Sequence, residues 1–349
     1  MTLTTLHQLV SAGLLTKAEA PALAPVAETF RISVTEAMAR PELAAQFVPT
    51  LAEMLTRAEE LSDPIGDHAH EPTPGLTHRY PDRVILHATQ TCEVYCRFCF
   101  RRESVGASGH LPEDDLKAAL DHIAATPAIR EVILTGGDPM VLSPRRLTAI
   151  LQRLDAIPHV DVVRFHTRIP VVQPARITDA LIAALDIRPA VWVVVHTNHP
   201  AEITPEAAAA LRKLTRAGVP LLSQSVLLQG VNADPDTLEA LFRTLIANRV
   251  KPYYLHHADL AKGTSHFRTT IAEGQKIMET LRGRLSGIAQ PTYVLDIPGG
   301  HGKVPIGPNY LVAQGAAWQV TDPKGQRHAY ADVTKGDVQQ AAQVPILAP

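Results

Sequence analysis

The sequence predicts an α/β fold built on a mainly parallel sheet, and three observations carry that expectation. Short apolar runs alternate with amphipathic helical stretches from residue 83 to residue 257. The runs are apolar at consecutive positions, as in AVWVVVHTN (190–198), which suits strands buried on both faces. Polar residues collect where each run ends, the edge at which parallel α/β folds bind ligands. The rhythm fits either a barrel or a doubly wound sheet.

The elements follow in order. Residues 1–60 read as helices: Leu3, Leu6, Leu9 and Val10 keep helical spacing, and AAQFVPTLAEMLTRAEEL is an amphipathic stretch interrupted by Pro49. DPIGDHAHEPTPGLTHRYPDR (63–83), rich in Pro, Gly and His, reads as ordered loop. RVILHAT (83–89) is the first strand. PEDDLKAALDHIAA (112–125) is a helix with acidic residues in its first turn. REVILTGG (130–137) is a strand ending in a glycine pair, and SPRRLTAILQRLDAI (143–157) a helix with a Ser cap and Pro at its first position. The pairs DVVRFHT (161–167) with TDALIAALD (178–186), and AVWVVVHTN with TPEAAAALRKLTRAG (204–218), continue the alternation. VPLLSQSVLL (219–228), DPDTLEALFRTLIAN (234–248) and VKPYYLHH (250–257) complete six strands. Beyond residue 270 come a helix, AEGQKIMETLRGRL, a strand that runs into a glycine turn, TYVLDIPGG, and short tail strands in YLVA, AAWQV and HAYADV.

Composition narrows the function classes. The chain has 349 residues, 46% of them hydrophobic and 19% charged, with a formal net charge of −2. That balance gives no reason to expect nucleic acid or an anionic membrane as partner. No apolar run approaches the ~20 residues of a membrane span, and the N-terminus lacks the basic start of a secretory signal. Only Cys92, Cys96 and Cys99 are present, too few and too close for a disulfide framework, so a reducing cytoplasm is expected.

Those cysteines sit in TCEVYCRFCFRR (91–102), just after the first strand. Three buried cysteines acting as small hydrophobes would be awkward within one turn. A structural zinc wants four ligands, usually in pairs. An iron–sulfur cluster also takes thiolates, and three would leave one iron open to a ligand.

C-x3-C-x2-C behind the first strand of a βα series, with Phe98 before the last cysteine and TGGDP (135–139) after the second strand, resembles the radical S-adenosylmethionine (SAM) superfamily. Further stretches resemble the lysine 2,3-aminomutase family: PGLTHRYPDRV (74–84), CRFCFRR (96–102), HTNHPAEIT (196–204), QSVLLQGVN (224–232), HFRT (266–269) and PGGHGKVPIGPNY (298–310). The resemblance implies a partial (β/α)6 radical SAM barrel over 63–285, an N-terminal helical region over 1–62, and a C-terminal extension over 286–349 that carries a cofactor-binding lysine. It implies three cofactors: a [4Fe–4S] cluster on Cys92, Cys96 and Cys99, SAM, and pyridoxal 5′-phosphate.

Residue roles follow from the same resemblance. Gly136, Gly137 and Asp138, with His196 and Gln224, are expected near SAM; Asn198 stands beside them at a strand end. Lys303 is expected to bind pyridoxal phosphate through its amine, with the glycines flanking it in PGGHGKVPIG letting the chain bend. A phosphate loop is the rival reading of that stretch, but it would need Gly at 297 and Ser or Thr at 304, where Ile297 and Val304 stand. Arg79 and Tyr80, with Arg83 as a third, are expected to hold the cofactor phosphate. Arg101 is expected to meet the substrate carboxylate, and a planar guanidinium suits that task. Asp259 and Asp296 are expected to take the distal ammonium of lysine, since a cation leaving water needs compensating anions.

The implied reaction is the conversion of free L-lysine to β-lysine, a radical 1,2-amino migration by an isomerase. Two alternatives remain: an aminomutase acting on a lysine of a translation elongation factor, and a glutamate 2,3-aminomutase. The aspartate pair favours free lysine. His256 and His257, just before Asp259, depart from the usual pattern. Expected partners are a small amino acid, an electron donor such as flavodoxin or ferredoxin, and a second copy of the chain, without the four-cysteine intersubunit zinc that some relatives carry.

Overall fold

The computed structural model describes residues 2–106, 108–315 and 317–333; residues 334–349 of the expected C-terminal segment lie outside them. Nine strands form one sheet in chain order: β1 (Leu76–Tyr80), β2 (Arg83–Thr89), β3 (Glu131–Gly136), β4 (Val162–Thr167), β5 (Ala190–His196), β6 (Leu221–Leu227), β7 (Val250–His257), β8 (Thr292–Asp296) and β9 (Lys303–Pro305). Strands β2 to β8 run parallel, while β1 and β9 pair antiparallel at the two ends. The six expected strands are therefore β2 to β7, and the glycine-turn strand TYVLDIPGG joins them as β8.

Several crossover helices are specified by local caps. Ser143, Thr204 and Asp234 cap helices Pro144–Asp155, Pro205–Arg216 and Pro235–Ala247, each with proline at its start, where a missing N–H costs nothing. Thr270 and Glu273 form a capping box on helix Ile271–Arg284. These helices bury one apolar stripe, such as Leu147, Ile150, Leu151 and Leu154, against strand residues such as Val132, Leu134, Val163 and Phe165.

The other face of the strands is different. Ile133, Arg164 and Trp192 lie in register across β3, β4 and β5 and all line a cavity of about 1070 Å³. Residues from every strand β1 to β9 contribute to its wall, so the sheet curves around it. The expectation of two equally apolar faces fails here: only the helix-covered face is a plain core. Among the described residues no ladder joins β9 to β1, and the hydroxyl of Tyr80 accepts the backbone N–H of Lys303 at 3.2 Å across that gap.

Three local readings need correction. Leu76–Tyr80, expected as loop, forms β1, because it lies back along β2 through an antiparallel turn. The N-terminal region holds only short helical pieces, of which Leu6–Ser11 and Ala24–Thr29 are the longest at 6 residues. The stretch around Pro49 gives a four-residue helix, Ala44–Phe47, and a 3-10 turn, Leu51–Met54. Tertiary contacts replace helix there. Glu53, its side chain fully buried, accepts from both Arg97 and Arg102 of the cysteine loop. Glu53→Ala is expected to cost about 3–5 kcal/mol, because two guanidiniums would stay buried without their anion; urea denaturation measures it. The tail strands Leu311–Gln314, Ala317–Thr321 and Arg327–Ala331 form a separate antiparallel sheet. Among the described residues no helix is long and apolar enough to cross a membrane.

Candidate active site

The cavity has two chemically different ends. At one, the loop after β2 brings Cys92, Cys96 and Cys99 to the same wall, all as free thiols. The end of β3 is fastened beside them: Gly137 N–H donates to Thr89 O at 2.7 Å and Asp138 N–H to Thr91 O at 2.9 Å. A Cβ on Gly137 would lie 2.4 Å from Thr91 O, so only glycine allows this approach. Asp138 lines the same wall. Its carboxylate accepts from the Thr167 hydroxyl at 2.7 Å, Arg168 N–H at 2.7 Å and Met140 N–H at 3.0 Å. It therefore organises the ends of β3 and β4 from the cavity wall.

Enclosure pushes all three thiols upward, Cys99 to about 11, while Arg168 pulls Cys96 back down. Thiols so placed ionise against a bound cation, as metal ligation requires. His196 and Gln224 line the wall nearby, and the ring of His196 packs edge-on against Phe98 at 5.8 Å between centroids. The Nε2 atoms of His166, His196 and His256 are buried without a hydrogen-bond partner among the described residues. Enclosure is the main cause that holds the pKa values of His166 and His196 far down. Neutral imidazoles with unused nitrogens on a cavity wall fit a polar ligand. Three thiols on one wall are the donor chemistry an iron–sulfur cluster takes, although among the described residues no three Cys, His, Asp or Glu side chains stand as a ready-made metal set; the volume exceeds the 300–1,000 Å³ of ordinary single-ligand pockets. Two cofactors and a small substrate fit such a space. Asn198 is not part of this wall: it is buried, donating to Gln46 and accepting from Val226 N–H.

At the other end, β9 delivers Lys303. Gly302 precedes it at φ +98°, and a Cβ there would come within 2.9 Å of the Tyr80 hydroxyl, so the turn requires glycine. Lys303 Nζ pairs with Asp296 of β8 and lies 3.2 Å from His256 Nδ1 of β7. His256 Nδ1 is also 3.2 Å from Asp296. Burial alone would raise Asp296, but His256 and Lys303 outweigh it and hold the carboxyl far below the usual range. Asp259 lines the same wall with no hydrogen bond among the described residues. Enclosure and the charge of Asp296 push it up to about 7, against the pull of Lys303 and Arg101.

Between the ends lie the arginines. Arg101 Nη2 pairs with Asp67 Oδ2 at 2.7 Å, and Arg79 Nη2 reaches Asp67 Oδ1 at 3.3 Å and Ile65 O at 2.5 Å. One carboxylate thus holds both guanidiniums at the wall. Arg83 stacks over the Tyr80 ring at 3.8 Å and pairs with Asp82 at 2.7 Å. Asp67 has no distinguishing mark in DPIGDHAH; its only signal is an acidic residue inside a segment facing several arginines. Arg168 and His256 do stand among the polar residues at strand ends, but neither carried an expected task.

Two family models match the chain: the radical SAM superfamily over residues 86–242 and lysine-2,3-aminomutase over 278–322. The chain is 46% identical over 270 residues to an L-lysine 2,3-aminomutase of Fusobacterium nucleatum, covering 77% of this chain and 64% of that protein. It is 45% identical over 269 residues to a putative L-lysine 2,3-aminomutase of Aquifex aeolicus, covering 76% and 72%. It is also 44% identical over 269 residues to a glutamate 2,3-aminomutase of Clostridioides difficile, covering 77% and 64%. The chain thus spans under two thirds of the Fusobacterium protein's length.

Proposed function

The chain belongs to the lysine 2,3-aminomutase family of the radical SAM superfamily, and on that premise we propose that it converts free L-lysine to β-lysine. The observation that carries this reading is the pair of carboxylates, Asp259 and Asp296, on the cavity wall beside Lys303. Two carboxyl groups in an enclosed space, Asp296 ionised and Asp259 ionising as a cation arrives, suit a distal ammonium and disfavour the side-chain carboxylate of glutamate. That favours lysine over glutamate, although the Clostridioides difficile relative is nearly as similar.

The family brings a [4Fe–4S] cluster, SAM and pyridoxal phosphate. When bound, they supply the hydrogen-abstracting radical and the carrier for the migrating nitrogen. The chain's own residues do the placing. Cys92, Cys96 and Cys99 hold the cluster, and Gly136, Gly137, His196 and Gln224 shape the SAM space. Lys303 anchors pyridoxal phosphate; Arg79, Tyr80 and Arg83 serve its phosphate. Arg101 orients the substrate carboxylate, and the enclosing wall excludes water. Lys303 neutralises Asp296 in the ligand-free protein; with the Lys303 amine engaged by pyridoxal phosphate, Asp296 would be available to the substrate ammonium. A cytoplasmic homo-oligomer fed by flavodoxin or ferredoxin completes the proposal.

The test is anaerobic reconstitution followed by separate incubation with L-lysine, L-glutamate and a lysine-bearing elongation factor. β-Lysine from the free amino acid is expected. β-Glutamate, or modification of the protein alone, would overturn the reading.

A pH signature follows from Asp259. Its folded value of about 7 lies above the unfolded value of about 3.9. The ligand-free protein therefore binds the extra proton within that window, and this contribution to stability is lost as pH rises through 7. Binding an ammonium needs the ionised form, so the KM for lysine is expected to fall as pH rises from about 6 to about 8. Asp259→Asn should raise KM and flatten that profile.

A further inference from the structure

Arg168 is a buried cation that touches the cysteine loop directly. It is 6% exposed, and its Nη1 donates to Cys96 Sγ at 2.8 Å. Its Nη2 donates to Glu202 at 2.5 Å and to Gln46 at 3.3 Å, and its backbone N–H donates to Asp138 at 2.7 Å. Glu202 is itself fully buried and accepts from Gln46 Nε2 at 2.9 Å, Asn198 N–H at 2.8 Å and His199 N–H at 3.0 Å. Gln46 comes from the N-terminal region, Arg168 from the end of β4, and Glu202 from the turn after β5. Three separate parts of the chain thus fix one guanidinium against one sulfur.

A structural ion pair would need only Glu202. The arrangement instead spends one nitrogen of the fork on the thiol. Arg168 also lies 5.7 Å from the centre of the Phe98 ring, between Cys96 and Cys99 in sequence, and 5.1 Å from that of Phe47. An aromatic wall keeps water away and lengthens the reach of the charge.

We propose that Arg168 is a tuning residue that raises the reduction potential of the iron–sulfur cluster, with Glu202 setting how much of its charge the cluster feels. The inference rests on the cluster being held by Cys92, Cys96 and Cys99. One-electron reduction adds a negative charge to the cluster. A cation and an N–H donor at a ligating sulfur stabilise that reduced form more than the oxidised one, so the potential rises. Glu202 opposes the cation, so removing its charge should raise the potential further.

The experiment is an EPR-monitored redox titration of anaerobically reconstituted protein, with iron and sulfide assayed on each sample. Arg168→Gln is expected to lower the ratio of reduced to oxidised cluster at fixed potential about tenfold, equivalent to about 59 mV for one electron. Arg168→Lys should fall between it and wild type, because the charge stays but the fork is lost. Glu202→Gln should move the midpoint the opposite way. Unchanged midpoints in all three variants, or shifts of one sign in Arg168→Gln and Glu202→Gln, would overturn the proposal. If Arg168→Gln holds no cluster, the other two variants decide it. Loss of iron from all three with intact circular dichroism would also overturn it, by making the network an assembly device. Absence of iron and sulfide from wild type would instead overturn the cluster reading itself.

Discussion

Lys303→Ala is expected to abolish binding of pyridoxal phosphate as a visible chromophore and to lower turnover by at least about three orders of magnitude, the scale on which loss of a covalent nucleophile acts. The lysine has a second task that must be separated from the first. Its Nζ pairs with Asp296, and with it gone the only hydrogen-bond partner left to that carboxylate among the described residues is His256 Nδ1 at 3.2 Å. The alanine variant therefore loses an ion pair as well as an amine. Lys303→Arg separates the two effects. It keeps a cation beside Asp296 but presents a guanidinium, too strongly basic to lose its proton and act as the nucleophile for covalent attachment. If both variants lose the chromophore and turnover while Lys303→Arg keeps the thermal stability of wild type, the chemistry belongs to the amine. Recovery of turnover in Lys303→Arg would assign the residue to charge balance alone.

The reach of sequence reasoning differs between the two ends of the cavity, for a physical reason. The cysteine end is local: C-x3-C-x2-C lies in one turn, and the TGGDP stretch is set beside it by adjacent parallel strands β2 and β3. Lys303 is equally marked by its glycines. The crossover helices announce themselves through Ser143, Thr204 and Asp234 caps and a clean apolar stripe. What stayed hidden depends on distant partners. Leu76–Tyr80 carries THR and a following proline, and becomes β1 only because β2 offers a ladder. The stretch after Pro49 loses helix because Glu53 is drawn to Arg97 and Arg102, and because Leu61 forms a bridge with Ala261. Asp67 acquires meaning only when Arg79 and Arg101 arrive from β1 and from the cysteine loop. The double use of Arg168, on Cys96 and on Glu202, is likewise a product of three segments meeting. Motif residues are legible because their chemistry is local; the groups that orient them are not.

Cys99→Ser should remove the cluster, and with it all SAM cleavage, while leaving the other end of the cavity able to bind pyridoxal phosphate. Serine is nearly isosteric, but its hydroxyl ionises far less readily than a thiol and is a poor ligand for iron of this kind. Three thiolates are already the minimum set, and no fourth cysteine exists in the chain to take over. The backbone should tolerate the change. Cys99 N–H donates to Cys96 O at 3.1 Å and Arg102 N–H to Cys99 O at 3.3 Å, and neither bond involves the sulfur. The Arg97 and Arg102 pairs with Glu53, which fasten the same loop, also remain. Iron and sulfide content should therefore fall to background with circular dichroism unchanged. The pyridoxal chromophore should persist, because Lys303, Asp296 and His256 stand on β7, β8 and β9, elements that contribute no thiol. That pairing of outcomes tests the division of the cavity into two ends. Loss of both cofactors from Cys99→Ser would mean that the cysteine loop shapes the whole site through Arg101 and Asp67, and that the two ends bind their cofactors as one unit.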